Sequence, residues 1–498
     1  MILNCGLRHS DFQREGIGQM ATKLTSAVVL AMALTYLGGC GEEPVENTPD
    51  AGNGGTEQDS GTNNPGSDAG TKPVDSDLAL VRLNADGTVD STFGTNGITR
   101  LDLGPGVPSV RDAMWGLERD ASNRLVVFGS KKGEGDRNDM DRVVVRFTAN
   151  GTLDETFGTK GVHSLNMSGL TDQPKHGIVQ PDGKIVASGY VSTPTGVGAQ
   201  SANRVVLLRL NDNGTADNTF GSKGVVTSAP FTSADPQRIE WGMAEAYAVD
   251  RQSTGKYVTT GYGRTAATGP VDVVAFRYTA DGQLDTTWGT NGTFVLDVSG
   301  DNDRGRDMCV LADDRVAMVG SGIPSPQNLD AMLVMLTPDG APDTSIGSSG
   351  YKLYDFGRPD EAFFASAVSA DGQWLAAAGY RAGANLNDDA ILLIKPVGTG
   401  GGTEFAQAVP LSDSANDRFW SVAFDAAGKV YAAGYITEGG DNRMAVARFN
   451  ANGTRDTTFG TNGVATVNVI ARGTEEMVRG VIVQSDGKIV LAGTVESL

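Results

Sequence analysis

The feature that most constrains this chain is an internal repeat of about sixty residues, beginning near residue 78. Two independent anchors mark it. The first is an aromatic-Gly pair: Phe93-Gly94, Phe157-Gly158, Phe220-Gly221, Trp288-Gly289, the variant Ile346-Gly347, and Phe459-Gly460. These are spaced by 64, 63, 68, 58 and 113 residues, the last gap hiding a degenerate copy near Glu404-Phe405. The second is a Gly inside an apolar run: Gly129, Gly189, Gly261, Gly320, Gly379, Gly434 and Gly493, spaced by 60, 72, 59, 59, 55 and 59 residues. Both anchors count seven units.

Within each unit the apolar runs are short, rich in Val, Ile, Leu and Ala, and without helical periodicity. The second unit reads as strands at 162–167, 176–180, 184–190 and 204–210, with Pro181-Asp182-Gly183 as a hairpin turn. Four strands in sixty residues describe a propeller blade, so the expected fold is all-β: a seven-bladed β-propeller of four-stranded blades. The 162–167 type of strand is expected to lie innermost. The first strand, 78–83, is of the fourth type and the last, 488–495, of the third. Strand 78–83 should therefore supply the missing fourth strand of the last blade and close the ring against open-edge pairing. An open solenoid would need terminal caps that the sequence lacks.

A fourteen-residue motif follows each fourth strand, as in Asn84-Ala85-Asp86-Gly87-Thr88-Val89-Asp90-Ser91-Thr92-Phe93-Gly94-Thr95-Asn96-Gly97. Asx-Gly suits a turn that needs positive φ. The later acids, Asp90, Asp154, Asp217, Asp285, Asp343 and Asp456, suit a structural turn whose carboxylate accepts backbone N–H bonds. The aromatic residue is then expected to plug the seam between blades. Arg82, Arg146, Arg209, Arg277 and Arg448 share one place on the fourth strand, with Lys395 and Met335 in the remaining copies, and are expected to pair with those acids. The motif resembles the delta-60 repeat, a family of bacterial secreted and surface proteins. The resemblance covers about 78–498 and implies a β-propeller, but no established activity. The sixth copy, KPVGTGGGTEFAQ at 395–407, departs from it.

The N-terminal region reads as an address. Residues 24–37 form a fourteen-residue apolar run after Lys23, too short to span a bilayer, and Leu37-Gly38-Gly39-Cys40 follows. This resembles a bacterial lipobox, so residues 1–39 are expected to be a signal peptide, with Met20 a plausible start, and Cys40 the lipidated residue. A diacylated or triacylated Cys would hold the protein on a membrane, and Gly41 points to the outer one. Residues 41–77 carry nine acids, one Lys and no aromatic residue, the composition of a flexible tether. The expected domains are 1–39, 40–77 and 78–498.

Composition excludes several functions. Sixty acids against 40 bases give a net charge of −20, which argues against nucleic-acid binding. Three His and three Cys leave no basis for a clustered zinc site or a disulfide framework. No metal, cofactor or catalytic residue is expected: there is no Gly-x-Ser-x-Gly elbow and no phosphate-binding Gly-rich loop. The Asx-Gly loops lack the full oxygen set of a Ca²⁺ loop.

The candidate ligand rim is acidic. Each loop before the second strand carries a charge, giving Asp112, Asp172, Glu240, Asp303, Asp360, Asp417 and Glu475, which would ring one mouth of a central channel. The variable loops between third and fourth strands should share that face. Trp115, Trp241, Trp374 and Trp420 offer a possible stacking platform. The expectation is a monomeric, lipid-anchored, non-catalytic binding or scaffolding module for an extracellular protein or glycan. A polysaccharide lyase or hydrolase using the rim acids, or a purely structural envelope part, are the alternatives.

Overall fold

The computed structural model describes residues 75–497, apart from 105–111, 136, 138, 168, 170, 195–200, 229–242, 265–268, 384–386, 413 and 471–475. The signal and lipidation expectations, and the tether up to residue 74, lie outside the described residues, whereas Asp75, Ser76 and Asp77, expected in the tether, already pair with Ser497, Glu496 and Val495. Those residues are all-β: 28 strands and no helix.

The chain opens with β1 (Asp75–Leu83) and β2 (Ile98–Leu101). Four-stranded sheets follow in order. The first is β3 (Ala113–Arg119), β4 (Leu125–Lys132), β5 (Met140–Phe147) and β6 (Val162–Leu165). The second is β7 (Asp172–Val179), β8 (Ile185–Pro194), β9 (Ser201–Leu210) and β10 (Val225–Ser228). The third is β11 (Met243–Arg251), β12 (Tyr257–Arg264), β13 (Asp272–Tyr278) and β14 (Thr293–Leu296). Then come β15 (Arg304–Val310), β16 (Val316–Ser325), β17 (Asn328–Leu336) and β18 (Tyr351–Tyr354). A single parallel bridge, Leu329 to Asp360, joins this group to β19 (Asp360–Val368), β20 (Trp374–Ala382), β21 (Asp389–Pro396) and β22 (Phe405–Ala408). The sixth is β23 (Asp417–Phe424), β24 (Val430–Glu438), β25 (Asp441–Phe449) and β26 (Val464–Val467). Finally β27 (Glu476–Val483) and β28 (Ile489–Ser497) pair with the opening strands in the order β27-β28-β1-β2.

Two sequence expectations need correction here. The 162–167 type of strand is not innermost. It is the last strand of the preceding sheet, as β6 against β5, with Arg142 opposite Leu165. The motif before it is therefore a hairpin connection within a sheet. The strands that neighbour one another from sheet to sheet are β3, β7, β11, β15, β19, β23 and β27, and β27 in turn neighbours β3. Likewise β1 is the third strand of its sheet, in register with β28 (Leu83 opposite Ile489), and β2 is the fourth.

Third strands read as unbroken apolar runs because both sheet faces are covered. Val143, Val144 and Val145 are at most 1% exposed, as are Val205 through Leu208. The larger hydrophobic clusters lie between two adjacent sheets. Val126, Phe128 and Val144 meet Ile185, Ala187 and Leu208, for instance, while Leu78, Leu80 and Val490 meet Val127 and Val145.

The turn motif fastens these seams. Asp90 Oδ1 accepts the Thr92 N–H and hydroxyl, and Oδ2 accepts Arg82 Nε at 2.7 Å and Lys488 Nζ at 2.8 Å. The Arg82 guanidinium lies 4.8 Å from the Phe93 ring centroid and donates to Ala149 O in the next repeat. Asp154, Asp217, Asp285 and Asp456 bind Arg146, Arg209, Arg277 and Arg448 in the same way. Where Met335 replaces the Arg, Arg315 reaches Asp343 at 3.1 Å. Burial alone would raise the Asp217 carboxyl, but Lys184, Thr219 and Arg209 hold it well below the usual carboxylate range. Phe93, fully buried, occupies the space that a Cβ on Gly151 (φ +83°) would need. In the degenerate sixth copy Phe405 takes this role against Gly453, and Lys352 and Lys395 both bind Glu404.

Candidate functional site

The site is built by one backbone irregularity repeated seven times. Each inner strand carries a β-bulge where its register against the second strand slips. It falls between Met114 and Gly116, Pro174 and Gly177, Ala246 and Ala248, Gly305 and Asp307, Phe363 and Ala365, Phe419 and Ser421, and Val478 and Gly480. A bulge leaves one residue without a cross-strand partner and re-aims its side chain.

Opposite the residue before each bulge stands the strand Gly of the second anchor. A Cβ there would lie 2.5 Å from Ala113 O at Gly129, 2.0 Å from Glu245 O at Gly261, and 1.8 Å from Met477 O at Gly493. The Gly repeat is thus the footprint of the bulge.

The seven re-aimed side chains are Trp115, Lys175, Tyr247, Arg306, Phe364, Trp420 and Arg479, and they form a continuous collar. Lys175 Nζ lies 3.6 Å from the Trp115 ring centroid and 4.7 Å from that of Tyr247. The Arg306 guanidinium lies 5.3 Å from Tyr247 and 5.7 Å from Phe364. Phe364 stacks on Trp420 with centroids 4.0 Å apart. Arg479 closes the circle, 3.9 Å from Trp420 and 5.2 Å from Trp115. Every cation lies over an aromatic ring, an arrangement worth up to about 2 kcal/mol where desolvated. The indole N–H groups of Trp115 and Trp420 are buried without a hydrogen-bond acceptor. The collar lines a cavity of about 690 Å³ to which all seven inner strands contribute.

Further along the same strands the cavity turns acidic. Glu118, Asp250 and Asp307 line it beside His176, Cys309 and Ser366. His176 Nε2 lies 3.9 Å from Glu118 Oε1. Burial, reinforced by the Asp250 charge, pushes Glu118 up to about 8. Burial also raises Asp250 to about 6, although it accepts Val310 N–H at 2.7 Å. Asp307 is raised by burial and accepts Ser366 N–H at 2.7 Å. Two of these carboxylates thus cap inner-edge N–H groups of the following sheet.

The sequence-predicted rim is something else. Asp112, Asp172, Asp303 and Asp417 are at most 1% exposed and precede the inner strands' bulges by two positions. They staple the chain that enters each inner strand. Asp112 Oδ2 accepts Leu103 N–H at 2.6 Å, and Asp172 accepts Met167 N–H. Asp303 accepts Val298 and Ile323, and Asp417 accepts Ala390, Leu411 and Ser412. In the fifth and seventh units the staple is one residue later than expected. Glu361 accepts Phe356 and Arg358, and Glu476 accepts Val469 and Ile470, while Asp360 takes the Tyr380 hydroxyl. Glu475 and Glu240 lie outside the described residues, and the third unit has Ala244 at the staple position. Burial pushes Asp112, Glu361 and Glu476 up to about 7, and Asp172, Asp303 and Asp417 up to about 6.

Of the predicted tryptophans, Trp115 and Trp420 reach the collar. Trp374 opens β20 and packs into a seam cluster, and Trp241 lies outside the described residues. His163 sits on an outer strand, its Nδ1 3.0 Å from Gly214 O. Lys175, Tyr247, Arg306, Phe364 and Arg479 were not grouped from sequence. The missed signal is their spacing: each collar residue stands 14 positions before a strand Gly, 15 in the fifth unit.

A search of curated proteins finds no match. Among solved structures, the chain is similar to a protein of unknown function from Dyadobacter fermentans, at 14% identity and a TM-score of 0.39, covering 79% of this chain and all of that one. It is also similar to a polysaccharide lyase titled PL25 ulvan lyase, at 10% identity and 0.42, covering 69% and 84%. A third is the β-propeller domain of the Trilobed protease from Pyrococcus furiosus, at 9% identity and 0.33, covering 69% and 94%. Residues 75–93, 137–157, 180–220, 252–287 and 428–459 match the family described as a domain of unknown function (DUF5122) beta-propeller, so the repeats are of β-propeller type.

Proposed function

We propose that the seven four-strand groups form a closed seven-bladed propeller whose collar binds an acidic extracellular glycan without catalysis. The observation that carries this reading is the alternation of aromatic and cationic side chains at the one repeat position that bulges into the cavity. Aromatic faces stack on sugar rings, and cations take their carboxylate or sulfate groups. Three cations in one ring stand out in a chain of charge −20. A ligand entering from the loop side meets this collar before the carboxylates. The signal at 24–40 and the acidic tether support lipid anchoring through Cys40 at the outer membrane, which would present the collar outside the cell.

The test is binding of the full chain to polygalacturonate by calorimetry and affinity electrophoresis. Trp420→Ala and Lys175→Met should each weaken binding at least tenfold, with folding checked by circular dichroism, and added salt should weaken it further. No binding, or binding that both variants leave unchanged, refutes the reading. One observation favours a second reading: His176 and the raised Glu118 share the cavity, as a proton-transferring pair in a lyase or hydrolase would. Shortening of the polymer, abolished by Glu118→Gln, would establish that reading instead.

A further inference from the structure

Both faces of the Trp420 indole are covered. The Phe364 ring stacks on it with centroids 4.0 Å apart and planes 20° from parallel, and the Arg479 guanidinium carbon lies 3.9 Å from the Trp420 centroid. Carbon atoms in contact stay about 3.5–4.0 Å apart, so two groups this close to one centroid cannot share a face. The indole is therefore enclosed between a ring and a cation.

The two covers are of different kinds. Phe364 is backed by Tyr380, whose ring lies 5.3 Å away and within 9° of parallel. Tyr380 is fully buried, its hydroxyl donates to Asp360 Oδ1 at 2.9 Å, and the Arg418 guanidinium lies 3.9 Å from its centroid. Arg418 is in turn held by Asp388 at 2.7 Å. Phe364 thus rests against a chain of contacts that ends in an ion pair. Arg479 presents the other cover on a long, half-buried side chain that lines the cavity, its guanidinium also 5.2 Å from the Trp115 centroid. Of the two covers, the guanidinium is the one that a charged ligand can draw aside.

We propose that Arg479 is the specificity-determining residue of the collar: it masks Trp420 until an anionic sugar draws the guanidinium away, so that acidic glycans are admitted and neutral ones refused. This rests on the glycan reading above and adds to it the residue that makes the choice. A carboxylate or sulfate offers the guanidinium bidentate, charge-assisted hydrogen bonds in place of its contact with the ring. The exchange offsets the displacement, and the uncovered indole face then takes the sugar ring. A neutral sugar offers no such exchange. It must expel the guanidinium with no charge to receive it, so the mask acts against it. Selectivity arises as much from what a site refuses as from what it accepts.

The test compares polygalacturonate with its methyl ester, the same polymer without charge, by calorimetry on the full chain. The unmodified chain should bind the acid at least about tenfold more tightly than the ester. Arg479→Ala should bind the ester about tenfold more tightly than the unmodified chain does, while losing affinity for the acid. A merely structural role for Arg479 predicts no such gain. Arg479→Lys, which keeps a cation at this place, should restore the preference for the acid. Circular dichroism checks folding, and if Arg479→Ala does not fold, Arg479→Gln takes its place with the same expectation. Acid binding by the unmodified chain without a gain for the ester in the variant overturns this proposal and leaves the glycan reading standing, as does equal binding of both polymers by the unmodified chain. An unmodified chain that binds neither polymer removes the glycan reading; ester binding gained by the variant would then still support the mask, and its absence would end both.

Discussion

Gly434→Ala tests the link between the Gly repeat and the collar. A Cβ at this position would lie 1.9 Å from Arg418 O, 2.9 Å from Arg418 C and 3.0 Å from Phe419 Cα, all backbone atoms. An ordinary carbon–oxygen contact needs about 3.3 Å, so β23 and β24 must part by about 1.4 Å. Ladder hydrogen bonds tolerate only a few tenths of that. Loss of two bonds at about 1 kcal/mol each, plus overpacking of about 1–3 kcal/mol, gives a cost of about 3–5 kcal/mol. Gly428→Ala is the control: its φ is +79°, but nothing lies within 4 Å of the new Cβ, so backbone strain alone costs about 1 kcal/mol. Urea unfolding followed by circular dichroism measures both. Gly434→Ala should also disturb Trp420, one residue beyond the bulge partner Phe419, and change the near-ultraviolet aromatic signal. If Gly434→Ala costs no more than Gly428→Ala, the steric account of the Gly repeat is wrong, and with it the explanation of why the collar points inward.

Asp217→Asn should destabilise by about 3 kcal/mol in the same urea assay, because it strips charge from a carboxylate buried against Arg209 and Lys184; a loss below about 1 kcal/mol would reduce the turn to an ordinary surface cap. Stability should peak at about pH 4–5. The six staple carboxylates hold their protons more tightly folded than unfolded, so their contribution is full below about pH 4 and lost as pH rises through 6 to 7. The junction acids Asp90, Asp217, Asp285 and Asp456 are lowered, so theirs is full above about pH 4 and lost as pH falls. Melting temperatures across pH 3–9 measure this, and a steady rise to pH 8 would contradict the staple assignment.

The sheet content was legible because its signals are local. The turn motif carries its core pairs within ten residues, as Asp90, Thr92 and Arg82 do, and recurs with little change. The grouping of strands was not legible, for a physical reason. A hairpin and a sheet-to-sheet crossing can have connections of equal length, and nothing in 84–97 says whether β2 stays beside β1. That it does follows from long-range pairs such as Val81 with Ile98. The misplaced rim follows from the same ambiguity: a charged loop leading into an inner strand looks solvated in sequence, whereas Asp303 and Asp417 turn inward to satisfy backbone N–H groups. Choosing Asp360 rather than Glu361 was an error of one residue, which only the register against Gly379 resolves.

The repeat itself distinguishes scaffold from site. Residues that answer a fixed steric or hydrogen-bonding demand are nearly constant from unit to unit: the strand Gly under the bulge, the junction Asp, and the acid two positions before the bulge in six of the seven described sheets. The bulged position varies from unit to unit, its side chains facing the cavity and packing on one another. It nevertheless holds Trp, Lys, Tyr, Arg, Phe, Trp and Arg, all large, and never a small or acidic residue. Burying three cations costs solvation that apolar residues would avoid, which their aromatic neighbours offset in part. Under the glycan-binding proposal these three cations, each held over an aromatic ring, belong to the site and not to the scaffold, so replacing them should change binding more than stability.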